Sequence, residues 1–176
     1  SLIEYDDFFH PKLELATDSF FRNYDGNSRS SLSEHIFKRT AFERFRFYDY
    51  PLAWYSDNRA WLEFSNFKYI YTINDALASI RVTEGSITGK NSNQLLKNKV
   101  RYLFFKNLIF DMLSHFNRNQ KNKFLLEYGI LIKEQDNINI RNTVYVSFQL
   151  LRIGAFISLL KFMRRMFIAK KTKINN

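Results

Sequence analysis

Asp57 and Arg59 stand two residues apart in Ser56-Asp57-Asn58-Arg59-Ala60-Trp61, an acid and a base set inside a field of aromatic residues. Charges surrounded by Phe, Tyr and Trp need mutual pairing or a polar ligand, because an unpaired charge withdrawn from water is costly. The preceding run Phe42-Glu43-Arg44-Phe45-Arg46-Phe47-Tyr48-Asp49-Tyr50 alternates the same two chemistries, so the region reads as the floor of a polar pocket. A carboxylate in such a place can take a proton from a hydroxyl within hydrogen-bond reach. Asp57 can equally cap a helix or pair with Arg59. Trp54 and Tyr55 offer broad rigid rings, for a ligand or for the core, and Trp61 is read as a core anchor between helices.

The elements that must position these groups follow from local signals. Residues 13 to 21 are expected to form a short helix after Pro11, and the Gly- and Asn-containing stretch 25 to 31 a turn. Ser31 or Ser33 is expected to cap a helix running to about Arg44, with Glu34 completing a capping box. Asp49-Tyr50-Pro51 interrupts it, since Pro lacks an amide donor and biases Tyr50 away from helical backbone. Ser56 or Asp57 then caps a second helix to about Phe64, with the Asp57 carboxylate turned toward the amides of its positive end. Strands are expected over residues 67 to 73 and 76 to 82, followed by loops through residue 91. Helices dominate from Ser92: one with Leu95, Leu96, Val100, Leu103, Phe104 and Leu108 on its buried face, a short one ending near Gly129, and a long apolar one over about 143 to 168. The fold class is therefore α+β and mainly helical, with residues 1–91 and 92–176 as its two portions.

Composition narrows the function. The 176 residues suffice for one compact domain, and a hydrophobic fraction of 45% supports a real core. With 19 Phe and 10 Tyr against five Gly, the chain packs helices and lines pockets but cannot supply Gly-rich nucleotide loops. Without Cys there is no disulfide or thiol catalysis. His10, His35 and His115 are scattered, so no metal site is assigned. The net charge of +10 suits an anionic partner. No acidic residue follows Asp136, and Lys161-Phe162-Met163-Arg164-Arg165-Met166-Phe167 mixes cations with large apolar groups, which fits an anionic membrane surface at least as well as a phosphate backbone. Arg152 and Lys161 interrupt the apolar run, leaving it short of an uncharged span.

From Ser31 to Ser86 the chain resembles the second half of a bacterial family 2 glycosyltransferase. The residues that carry this are Ser31-Leu32-Ser33-Glu34-His35-Ile36-Phe37-Lys38-Arg39, Phe47, Pro51-Leu52-Ala53-Trp54-Tyr55-Ser56-Asp57-Asn58-Arg59-Ala60-Trp61, Ile80-Arg81-Val82 and Gly85-Ser86-Ile87, in that order and spacing. The resemblance implies the C-terminal, acceptor-side portion of an A-type α/β fold with a long helical tail. It implies transfer of a sugar from a nucleotide-sugar donor to a glycan or lipid-linked acceptor hydroxyl, in surface polysaccharide synthesis. Asp57 matches the general base; Asn58 stands where such families often carry a second acid. Trp54, Tyr55 and Arg59 fall on the substrate side. Arg81 would clamp the diphosphate leaving group or a phosphorylated acceptor, or pair with Asp57 or Asp75, and Ser86 and Thr88 would add donors. Glu34 and His35 match the pattern too, but capping and an interhelical hydrogen bond explain them.

The nucleotide-binding half and its D-x-D metal motif are not recognisable, and Asp6-Asp7 reads as a solvated acidic turn. No cofactor is expected to bind this chain strongly; a divalent Mg or Mn is expected in the full-length enzyme. The opening Ser1-Leu2-Ile3 suggests an excerpt or a processed chain. A cytoplasmic location is expected, with a peripheral position on the inner face of the cell membrane. Two other readings stand beside this one. A non-enzymatic membrane-associated helical module is favoured by the basic tail; nucleic-acid binding is disfavoured because the aromatics lie at core-like spacing.

Overall fold

The computed structural model describes residues 10–28, 34–76, 93–136 and 138–167. The chain forms two compact units that divide between Lys97 and Asn98.

In the first unit, strand β1 (Leu13–Leu15) runs directly into helix α1 (Ala16–Tyr24). The helix expected from residue 13 thus gives up its first turn to a strand, which pairs antiparallel with β2 (Tyr69–Tyr71): Leu13 lies opposite Tyr71 and Leu15 opposite Tyr69. Alternation turns Leu13 and Leu15 outward and Glu14 inward, where its carboxylate receives both Arg22 guanidinium bonds at 2.5 and 2.7 Å. An inward-pointing charge so paired fixes the register, because a one-residue slip would leave Arg22 facing leucines. The strand expected over 76–82 lies, beyond Ala76, outside the described residues, as do the loops that follow it.

His10 closes this corner. Its amide donates to Asn74 Oδ1 at 3.2 Å, Asn74 Nδ2 donates to the His10 carbonyl at 2.9 Å, and its Nδ1 meets Arg22 at 2.6 Å. Burial, then the Arg22 charge, hold the imidazole below its usual pKa, against the opposing influence of Glu14 and Glu34. The unfolded chain therefore takes up a proton at a pH where the folded one does not. This contribution to stability is complete above the ordinary histidine pKa and is lost as pH falls through it. Denaturant melts between about pH 7 and pH 5 should show falling stability that a His10→Gln variant shows less steeply; identical slopes would refute the assignment.

Helix α2 (Arg39–Phe45) starts later than the capping pattern predicts. Lys38 occupies its N-cap without a side-chain hydrogen bond, Glu34 lies outside the helix, and Ser31 and Ser33 lie outside the described residues. What holds α2 is aromatic packing: Phe42 and the neighbouring Phe37 meet Phe47 and Phe64 with ring centroids 5.0 to 6.5 Å apart. Phe64 belongs to α3 (Ser56–Phe64), whose span matches the expected one, but neither Ser56 nor Asp57 caps it: both lie inside the helix, Tyr55 is the N-cap without a side-chain hydrogen bond, and the Ser56 hydroxyl donates to the Tyr48 carbonyl instead.

The second unit is helical. α4 (Gln94–Asn107), whose first four residues belong to the first unit, passes into a π-helical turn at Leu108–Met112 and a 3-10 turn at Leu113–His115. Val100, Phe104 and Leu108 are buried as their spacing predicts, but Leu95 and Leu96 are exposed. Asn117 then opens α5 (Arg118–Glu134) with a capping box: the Gln120 amide donates to Asn117 Oδ1 at 3.1 Å and the Asn117 amide to Gln120 Oε1 at 3.0 Å. The expected stop near Gly129 does not occur. Gly129 lies inside α5, and an ideal Cβ there would stand 2.7 Å from the ring of Phe162. The long helix expected from residue 143 is two helices, α6 (Ile140–Arg152) and α7 (Phe156–Phe167), joined at Gly154 with φ +66°. That left-handed backbone suits glycine and lets the chain reverse. Asn139 caps α6 through the Asn142 amide at 2.8 Å. α5, α6 and α7 pack pairwise around Phe124, Leu125, Tyr128, Val146, Leu150 and Phe162, all buried.

Candidate active site

The route into α3 is strained. Within residues 46–55, four non-glycine residues have positive φ: Arg46 at 55°, Leu52 at 61°, Ala53 at 52° and Tyr55 at 69°. Each left-handed L-residue costs roughly 1–2 kcal/mol, and such outliers cluster where surrounding structure holds a functional conformation. Here they fold the chain through a turn at Pro51–Ala53, so that Trp54 and Tyr55, rings edge to face at 6.4 Å, sit directly before the first turn of α3. Ser56 anchors this return by donating from Oγ to the Tyr48 carbonyl at 2.7 Å. Ala53 is exposed and its contact is a backbone bond to Tyr50, so Ala53→Gly should relieve strain and raise stability by up to about 1 kcal/mol. A destabilised Ala53→Gly in thermal and denaturant melts would contradict the strain reading.

Asp57 occupies the first turn of α3 and Tyr55 is its N-cap. The Asn58 amide donates to Asp57 Oδ1 at 2.9 Å, so the carboxylate does turn to the helix amides. Burial nevertheless pushes its carboxyl above the usual aspartate range, against those amides and against nearby His35, which favour the charged form. Among the described residues no Lys or Arg makes an ion pair with it. A half-buried carboxylate with a raised pKa and no Lys or Arg ion pair among the described residues is a group suited to accepting a proton.

Arg59 is turned elsewhere. Its Nε donates to Glu63 Oε1 at 2.8 Å, a second guanidinium nitrogen reaches the Tyr50 hydroxyl at 3.5 Å, and its charge lies 4.1 Å from the centre of the Tyr48 ring. Burial works against the charge most strongly, yet Tyr50 and Glu63 together hold its pKa above the ordinary value. On a helix, side chains two apart do not face each other whereas those four apart do, which is why Arg59 selects Glu63 over Asp57.

Trp54 carries Lys97 Nζ 4.9 Å from its ring centre. Trp61 stacks on His35 at 4.1 Å with planes 10° apart, and its Nε1 is buried without a hydrogen-bond partner among the described residues. Sequence reasoning placed neither Lys97 nor His35 at these rings; a nonlocal cation or ring partner leaves no local signal. Arg81, Ser86, Thr88, Asp6 and Asp7 lie outside the described residues. Among the described residues no group of three His, Asp or Glu side chains could hold a metal.

The second unit carries a surface cavity of about 590 Å³ at the α6–α7 elbow, lined by Arg118, Asn119, Asn122, Phe156 and Ile157 among others. Arg118 donates to the Gly154 carbonyl at 3.0 Å. Nothing in the local sequence marked this cavity, because it depends on the reversal at Gly154. Among the described residues no helix is long and apolar enough to cross a membrane. No protein-family model, curated protein or solved structure matches the chain.

Proposed function

We propose that this chain is the acceptor-side segment of a hexosyltransferase-type glycosyltransferase, moving a sugar from a nucleotide-sugar donor to the hydroxyl of a glycan or lipid-linked acceptor. The observation that carries the reading is Asp57: a half-buried carboxylate, raised in pKa and without a Lys or Arg ion pair among the described residues, set at the end of a strained aromatic loop. The motif resemblance supplies the reaction class. Asp57 takes the acceptor proton as the hydroxyl oxygen attacks the anomeric carbon; the bond from that carbon to the diphosphate oxygen breaks, and its electron pair leaves with the nucleoside diphosphate. Trp54 and Tyr55 provide ring faces against the acceptor sugar. Arg59 acts through Tyr48 and Tyr50, holding the wall beside them. Arg81 and Ser86 are the proposed diphosphate contacts.

The test is a transfer assay on the parent protein that contains this chain, with uridine-, guanosine- and thymidine-diphosphate sugars in buffers with and without Mg²⁺ or Mn²⁺. Acceptor-dependent release of the nucleoside diphosphate is the expected result. No transfer and no donor hydrolysis under any of these conditions would overturn the reading.

A further inference from the structure

The outward sides of α6 and α7 carry an apolar face that packing inside the second unit does not use. Val144, Phe148, Leu151, Phe156, Ile157 and Leu160 are between 48% and 72% exposed. The spacing 144, 148, 151 on α6 and 156, 160 on α7 makes one stripe per helix, each opposite the buried stripe that faces the core. The helices lie side by side as a hairpin, with Ser147 Oγ 3.5 Å from Met163 Sδ across the contact. Exposed apolar area this continuous marks a docking surface.

Charge selects its occupant. Arg141, Arg152, Lys161 and Arg164 are exposed on the same two helices, and neither helix contains an acidic residue. Arg118 adds a further cation beside Phe156 and Ile157 at the elbow. Large apolar side chains interleaved with cations and free of acids complement a bilayer interface with anionic headgroups, where apolar groups enter the acyl boundary and Lys or Arg meets phosphate. A second copy of the chain is the poorer occupant, because a two-fold contact would set the same cations against one another.

We infer that the α6–α7 hairpin lies in the surface of an anionic membrane, through Val144, Phe148, Phe156, Ile157 and Leu160, held by Arg141, Arg152, Lys161 and Arg164. This goes beyond the sugar-transfer proposal and stands on separate residues, so either can fail alone. It also places binding on a folded hairpin rather than on a single basic tail helix.

Sedimentation of the 176-residue chain with phosphatidylcholine vesicles, with and without phosphatidylglycerol, tests it. The chain should partition onto the anionic vesicles and weakly onto neutral ones. Lys161→Gln combined with Arg164→Gln should lower anionic partitioning roughly 25-fold, at about fivefold per cation. Leu160→Glu should lower it at least as far. All three positions are exposed, so melting temperatures should stay unchanged, and circular dichroism verifies that each variant is folded. Three results would overturn the inference: no partitioning of the unmodified chain, equal partitioning onto neutral and anionic vesicles that the charge variant leaves unaltered, or a dimer dissolved by Leu160→Glu in a chain that ignores vesicles.

Discussion

On the proposed sugar-transfer reading, Asp57→Asn in the parent protein should lose roughly 100-fold or more in turnover, the usual worth of a general base, while its fold becomes no less stable. The second half of that expectation separates catalysis from structure. Burial pushes the Asp57 carboxyl up, so the folded chain holds this proton more tightly than the unfolded chain does. A raised carboxylate favours folding at low pH and costs stability as pH rises through its folded pKa. At neutral pH the asparagine variant escapes that cost. It keeps an oxygen for the Asn58 amide, now 2.9 Å from Asp57 Oδ1. An ion-pair partner would behave oppositely, with turnover following stability downward, and a simple cap, which asparagine replaces well, would leave turnover near normal. Denaturant melts of both proteins at neutral pH, set beside their turnover with the true acceptor, distinguish these patterns.

Gly129→Ala should destabilise the second unit by about 1–3 kcal/mol, as overpacking a close-packed core does, although alanine is the better helix former by roughly 1 kcal/mol. The added Cβ would stand 2.7 and 2.9 Å from two ring carbons of Phe162, which is fully buried. The ring has no solvent to move into. It must shift against neighbours in the same core, so the steric term exceeds the propensity gain. Phe162→Leu alone should also destabilise, because it leaves part of the notch empty. The double variant should lose less than the sum of the two, since each change makes room for the other. Strict additivity in chemical denaturation, or a stabilised Gly129→Ala, would show that α5 and α7 do not meet there.

The same glycine shows where sequence reading fails. Read alone, Gly129 after an apolar run is a stop signal; in the fold it is a notch for a side chain 33 positions further on, and nothing local distinguishes the two. Gly154, by contrast, does end a helix, yet the apolar run through 143–168 concealed it because both α6 and α7 bury one side. The pairing of Leu13–Leu15 with Tyr69–Tyr71 is nonlocal in the same way, and the helical signal of residues 16–24 absorbed the strand before it. What was legible depended on neighbours: Pro51 breaking the chain, Ser56–Phe64 as a helix, and the Asp57 carboxylate turned to its own helix amides. Arg59 was legible as a residue that must be paired. Its choice of Glu63 follows from the four-residue helical spacing. The left-handed backbone at Leu52, Ala53 and Tyr55 carried no warning, since glycine or asparagine would have been the expected residues there.

The central claim is that Asp57 removes the acceptor proton, and the pH dependence of kcat/KM tests it most directly. For the unmodified parent protein, the proposed transfer rate should rise with pH along a limb set by ionisation of one carboxyl, with its midpoint above the ordinary aspartate range because burial holds the proton on. In Asp57→Asn that limb should vanish, leaving a low rate that is flat over the same interval. An Asp57→Asn enzyme that keeps the limb at the same midpoint with near-normal kcat/KM would place the base on another residue.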